Sequence, residues 1–224
     1  MVMEFFRGGA DRELEQIESA IQQMLVDCRH TFDTAINALL GGTDPELVKK
    51  DIKKTDRGVN KAEREVRREL VVHTSVRGAA ADIPMVLVSM SIVKDAERIG
   101  DYAKNIFDLA RAGVDLSTAE ELPDLITHRD RVSRLIAETA RIFGDRDAEA
   151  AHDLLQTEDD HIDEYDDIVI AQIDSEAPAR QAVPLALLNR YFKRITAHSM
   201  NILTSLVMPI DRLNYYDEDK ADRW

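Results

Sequence analysis

Apolar residues return every three or four positions along almost the whole of this chain. That spacing restricts it to helices that each bury one face. The first stretch sets the pattern, with Leu14, Ile17, Ile21, Met24, Cys28, Ala35 and Leu39 in a single seam. Alternating three- and four-residue steps are how helices interlock in bundles. Nine glycines and six prolines in 224 residues leave few places to break such helices, and aromatic residues make up only 5%. The expected fold class is all-α, with six long helices.

The breakers set the boundaries. The first helix is expected over about 11–40, stopped by Gly41-Gly42. Thr43 or Asp44 caps the second, with Pro45 in its first turn, and it runs to about Val72. Gly78 marks a turn, and the third helix runs from about Asp82 to Ala112, with Pro84 near its start. Ser117 with Glu120, and Thr118 with Glu121, read as overlapping capping boxes for a fourth helix that ends at Gly144. The fifth is expected over about 147–173. Residues 175–182 read as a loop, and the sixth helix starts near Pro184 and ends near Val207, before Pro209. The acidic tail from Asn214 to Trp224 is expected to be mobile, with Tyr215, Tyr216 and Trp224 as weak anchors.

The two halves read as copies. Asp56-x-x-Val59-Asn60-x-x-Glu63 in the second helix has the spacing of Asp159-x-x-Ile162-Asp163-x-x-Asp166 in the fifth. Glu97-Arg98-Ile99 with Asn105-Ile106 in the third helix aligns with Lys193-Arg194-Ile195 and Asn201-Ile202 in the sixth. The duplication predicts two tandem antiparallel three-helix bundles, over residues 1–115 and 116–224, related by an internal pseudo-two-fold.

Charge narrows the function classes. With 29 basic and 43 acidic residues the net charge is −14, which supplies no basic field for displacing counterions from nucleic acid. Cations or a basic patch on a partner are compatible with it. The single cysteine, Cys28, permits no intramolecular disulfide and falls on the first helix's apolar seam, as a buried hydrophobe would. The first nine residues are too short and polar for a signal peptide, and no apolar run reaches the length of a membrane span. A cytoplasmic protein is expected, with membrane contact only through a partner.

The chemistry concentrates between Lys94 and Ile106. Glu97 and Asp101 stand four apart on one helix face, with Asn105 continuing the row, and two like charges at that spacing repel. A metal cation, a basic neighbour or water must offset them. Gly100 between them weakens the helix by about 1 kcal/mol relative to alanine, which points to close approach of another backbone or a ligand. Facing Asp56 and Glu63 from the second helix, Glu97 and Asp101 would form a four-carboxylate site, with Asn60 and Asn105 orienting or ligating through oxygen. All-oxygen ligation suits magnesium, manganese, calcium or ferric iron. The bland alternative is an acidic stripe balanced by Arg57, Arg64, Lys94, Arg98 and Lys104. In the second half Lys193 and Ala197 remove two of the equivalent carboxylates, and Lys193 is placed to neutralise a remaining acid. One metal-competent half and one defective half are expected.

The run Glu97-Arg98-Ile99-Gly100-Asp101-Tyr102-Ala103-Lys104-Asn105-Ile106 resembles the motif of the PhoU family of phosphate-uptake regulators, with Tyr102 where that family usually carries histidine. The acidic positions Asp56 and Glu63 fit as well. The resemblance extends over about 11–210, and the second-half motif is degenerate at Lys193 and Ala197. It implies tandem three-helix bundles and a negative regulator of phosphate uptake or signalling that is not an enzyme. Its implied partners are a phosphate transporter or its ATPase subunit and a sensor histidine kinase, and a homodimer is among the assemblies it allows. It also implies a metal ion or cluster (iron, manganese, magnesium or zinc) on Asp56, Glu63, Glu97 and Asp101.

Two other classes compete. A carboxylate-bridged metalloenzyme of the four-helix type needs Glu-x-x-His elements on separate helices, and Glu149-x-x-His152 and Glu158-x-x-His161 share one stretch. A plain helical oligomerisation module would draw on the apolar run Met85, Leu87, Val88, Met90 and Ile92 and would give Glu97 and Asp101 no importance. His198 reads as a surface or packing residue. No glycine-rich phosphate loop, nucleophile elbow or zinc pattern is present.

Overall fold

The computed structural model describes residues 12–77 and 83–213. The expectations for the first nine residues, Asp11, Gly78, Asp82 and the tail with Tyr215, Tyr216 and Trp224 lie outside the described residues. Six helices follow in order: α1 (Arg12–Leu40), α2 (Pro45–Arg77), α3 (Ile83–Arg111), α4 (Leu122–Asp145), α5 (Ala148–Ile173) and α6 (Ala179–Val207), with a short 3₁₀ turn at Ile210–Arg212. Among the described residues there is no strand.

Most helix ends obey local chemistry. Gly42 takes φ +69° after α1, and Asp44 Oδ1 accepts from the Glu46 N–H at 2.9 Å to open α2. Asp147 caps α5 by accepting from the Ala150 N–H at 3.0 Å. Four expectations are corrected. Helix α2 runs five residues beyond Val72, with Val71 and Val72 exposed, because nothing in 73–77 breaks a helix. Neither capping box forms. Glu121 is itself helical in backbone and makes no side-chain cap bond, Pro123 lies in the first turn of the helix, and the turn before it is held by Asp115 Oδ1 accepting from the Ser117 N–H at 2.9 Å. Gly144 does not end α4; Arg146 does, in the left-handed region at φ 55°, where its N–H caps the carbonyls of Ile142 and Phe143. Gly144 instead lets α1 come close, since a Cβ there would fall 2.1 Å from Gln22 Nε2, which donates to Ala140 O at 3.1 Å. Helix α6 begins at Ala179, ahead of Pro184, which lies buried inside it. A proline this close to a helix start removes only the hydrogen bond to the exposed Arg180 carbonyl end, so the helix tolerates it.

Helices α1, α3, α4 and α6 form the middle of the molecule, α1 lying against both α3 and α4 and α6 against both α3 and α4. Helix α2 covers α1 and α3 from one side, and α5 covers α6 from the other. One continuous core runs through both halves, and Phe32 of α1 meets Phe192 of α6 with ring centroids 6.0 Å apart.

Candidate functional site

The duplicated acidic positions meet where α2 crosses α3. Glu63 and Glu97 are both buried, and the Lys94 ammonium lies between them, 3.6 Å from Glu63 Oε1 and 2.5 Å from Glu97 Oε2. Arg67 approaches Glu63 Oε1 at 3.1 Å. Two turns further along, Asp56 pairs with Lys104 across the two helices at 3.5 Å, and between the two pairs Asp101 binds Arg98 on its own helix at 3.5 Å. Burial, and next the charge of Glu97, raise the Asp101 carboxyl above its usual value against the pull of Lys104 and Arg98. Helical spacing and the antiparallel run of α2 against α3 thus put all four predicted residues on one interhelical face.

The second half repeats the arrangement with altered charge. Lys193 stands where Glu97 does and binds Asp166, the counterpart of Glu63, directly. Arg190, the counterpart of Lys94, lies 3.7 Å from the same carboxylate. The first half holds two buried acids around one lysine; the second holds one acid between two bases.

The oxygen donors of the first half have the right chemistry for a hard cation, but the geometry does not suit a resident one. Glu63 and Glu97 converge on Lys94, and Asp56 and Asp101 turn to their own cations. Among the described residues no three Asp, Glu, His or Cys side chains gather as a metal-holding group. The histidine elements stay within α5, where His161 Nδ1 meets Glu158 at 3.1 Å and His152 meets Gln156 at 2.9 Å. Gly100 answers the close-approach expectation through a side chain: a Cβ there would meet Cys28 Sγ at 3.1 Å and Val59 Cγ1 at 3.6 Å. Cys28 is fully buried, its thiol donates to Ala96 O at 3.3 Å, and burial pushes its pKa up, so it is no nucleophile.

A second polar cluster, which the sequence reading passed over, joins the halves where α3 crosses α6. Asp95 Oδ1 accepts from His198 Nδ1 at 2.8 Å and from Asn201 Nδ2 at 3.1 Å, all three residues being buried. His198 Nε2 faces an Arg194 nitrogen at 3.2 Å. Tyr102 stacks on His198 with centroids 5.8 Å apart. Tyr102 and His198 occupy equivalent positions of the two repeats, as do Asp95 and Tyr191, and Tyr191 in turn packs on Tyr102. His198 is a connector of the halves, not a surface residue. The signal was available: the aligned repeat places His198 at the position that Tyr102 holds in the first half, yet only the crossing of the helices brings Asp95 to it.

These features define a class, the repeat-built helical bundle with charged interhelical faces. Residues 21–110 match the family model described as PhoU domain. No curated protein matches the chain. Among solved structures, PhoU from Pseudomonas aeruginosa has a TM-score of 0.72 at 23% identity, covering 87% of this chain and 95% of that one. The phosphate transport system regulatory protein PhoU from Streptococcus pneumoniae has a TM-score of 0.71 at 21% identity, covering 92% and 95%. The chain shares its fold with these two structures over most of its length, and its sequence matches the PhoU domain over residues 21–110.

Proposed function

We propose that this chain is a regulatory adaptor of phosphate transport that acts by binding and not by turnover. The observation that carries this reading is the PhoU domain match over 21–110, which contains Asp56, Glu63, Glu97 and Asp101, within a fold shared with PhoU proteins. Long helices with charged faces suit reversible, electrostatically steered docking. The partner is a phosphate transporter or its ATPase subunit, or a sensor histidine kinase. The adaptor damps uptake by stabilising one conformation of that partner. No described helix is long and apolar enough to cross a membrane, so attachment to a transporter at the cytoplasmic face would run through protein contacts.

The test is twofold. Deleting the chain is expected to raise phosphate uptake in phosphate-replete cells, and affinity capture from those cells followed by mass spectrometry is expected to recover a transport or signalling component. Unchanged uptake together with capture of neither component overturns the reading.

A metal held by Asp56, Glu63, Glu97 and Asp101 would compete with Lys94 for the oxygens of Glu63 and Glu97. Calorimetric titration with manganese chloride is expected to show tighter binding for Lys94→Ala than for the native chain, and weaker binding for Asp101→Ala. Identical isotherms for all three would take these residues out of any metal site.

A further inference from the structure

The outer face of α2 carries a single sign of charge, in a chain whose net charge is −14. Lys50, Lys54, Arg57, Lys61, Arg64 and Arg68 recur at alternating steps of four and three, which sets them in one row along the helix. All six are exposed, with exposed Lys53 beside them. The row lies opposite the buried Ile52, Val59, Val66 and Leu70, so it points out from the bundle. At the helical rise its length is about 27 Å.

The acids of the same helix do not neutralise this row. Asp51 turns to His30 of α1 at 2.7 Å, Asp56 to Lys104 of α3 at 3.5 Å, and Glu63 is buried beside Lys94. Glu46 holds Lys49 at 2.8 Å at the helix start, and Glu65 holds Lys61 at 3.4 Å. Among the described residues, Lys50, Lys53, Lys54, Arg57, Arg64 and Arg68 meet no carboxylate within 4 Å. Apolar side chains close the row at both ends. Leu47, three residues before Lys50, is 78% exposed; Val71 and Val72, three and four residues after Arg68, are 56% and 51% exposed. Ile83 and Leu87 at the start of α3 are exposed at the same end of the molecule as Val71 and Val72, since α2 and α3 run antiparallel.

The charge also has a direction across the whole bundle. Helix α2 carries ten bases against six acids, and α3, which it covers, four against four. Helix α5 carries nine acids, met by only four bases on α6, which it covers. These two pairs lie on opposite sides of the molecule. An anionic plane therefore turns the α2 side toward itself and the α5 side away.

We propose that the outer face of α2 docks on an anionic phospholipid membrane, the basic row lying over headgroups and Leu47, Val71 and Val72 dipping among them. The apolar face of α2 is used by the bundle, so the contact is electrostatic along the helix and apolar only at its ends. An outermost helix has no walls to grip a protein segment, and a plane of headgroups needs none. Nucleic acid would match the charge and leave the exposed aliphatic ends without a role. The proposal replaces the expectation that the chain meets a membrane only through a partner. It rests on the adaptor reading for its purpose alone, which is to hold the chain beside a membrane transporter.

The full chain is sedimented with vesicles of phosphatidylcholine containing about 30% phosphatidylglycerol, and with pure phosphatidylcholine vesicles as control. It is expected to bind the mixed vesicles and not the pure ones, at least tenfold more weakly when salt rises from about 50 to about 500 mM. The combined variant Lys54→Gln, Arg57→Gln, Lys61→Gln, Arg64→Gln is expected to weaken binding at least tenfold with an unchanged circular dichroism spectrum. The charge-matched variant Arg134→Gln, Arg141→Gln, Arg180→Gln, Arg212→Gln, outside α2, is expected to stay within twofold. A polarity-sensitive dye on Val72→Cys in the Cys28→Ala background is expected to shift to the blue on mixed vesicles, and the same dye on Val183→Cys is not. Absence of binding to mixed vesicles overturns the proposal. So does equal weakening by both quadruple variants, which reduces the effect to net charge, and so does an unshifted dye at Val72→Cys. Binding to a short DNA duplex or to polyglutamate as tight as to the vesicles assigns the face to polyanions at large and overturns it too. If vesicle binding fails while deletion of the chain still raises phosphate uptake, this surface is wrong and the adaptor reading stands. If the chain binds vesicles and uptake ignores its deletion, the surface stands and the adaptor reading falls.

Discussion

At the scale of single residues, Gly100 is held by volume. Alanine there would favour the helix by about 1 kcal/mol, but its methyl would sit 3.1 Å from Cys28 Sγ inside a closed core. Overpacking costs about 1–3 kcal/mol. Gly100→Ala is therefore expected to lower stability by about 1 kcal/mol, and in the Cys28→Ala background it is expected to raise it. Urea denaturation of the four proteins of this cycle measures the sign change, and a Gly100→Ala penalty that survives loss of the sulfur would contradict the packing account. Glu164 is governed by charge. Burial opposes its ionisation, yet hydrogen bonds and charge from Arg131, with a smaller part from His128, hold its carboxyl below the usual 4.5. A folded-state pKa below the unfolded one means stability present above the unfolded value and lost as pH falls through the folded value. Glu164→Gln is expected to melt below the native chain at pH 7, with the gap closing below about pH 4. Parallel melting curves that keep their separation in acid would assign the loss to shape and not charge.

At the scale of helices, the duplicated pair α2 and α5 have diverged. Four buried aliphatic side chains secure α2, whereas α5 buries little apolar surface and carries nine acids with no lysine or arginine of its own. Few buried contacts and like-charge repulsion both lower the free energy of local opening. Amide exchange is expected to be faster through the middle of α5 than through the middle of α2, and added salt is expected to narrow the difference by screening the repulsion. Equal protection at low salt would mean that contact with α6 alone secures α5. Periodicity made all six helices legible, and Gly42 and Asp147 marked ends that local chemistry decides. The misplaced ends were those where a competing effect won. Gly144 resembled a stop because spacing cannot distinguish a terminating glycine from one that admits Gln22. Pro184 resembled a start because proline is usually excluded from interiors.

At the scale of the whole molecule, the halves share their core. Phe32 reaches Phe192, and Asp95 accepts from both His198 and Asn201 across the α3–α6 crossing. Removing that acceptor leaves two buried donors without a partner, at a cost of about 1–3 kcal/mol. Asp95→Ala is expected to keep a single thermal transition at lower temperature, with amide protection falling in α1 and α4 together. Two separated transitions would show halves that are only tethered. The negative charge of −14 is likewise unevenly placed, concentrated on α5 while α2 is basic. The surface a partner meets therefore depends on which outer helix it approaches.

The amino-acid sequence by itself determined the helical class, and that Glu97 and Asp101 share one face of α3. Both follow from a periodicity of 3.6 residues. It also placed Lys193 to neutralise an acid of the second half, where it binds Asp166. Tertiary structure decided what those carboxylates face, because the position of Lys94 between Glu63 and Glu97 depends on the distance and rotation of α2 against α3. It alone brought Asp95 to His198. Such contacts join residues far apart in the chain, and helix spacing says which face a residue takes but not which helix lies opposite it.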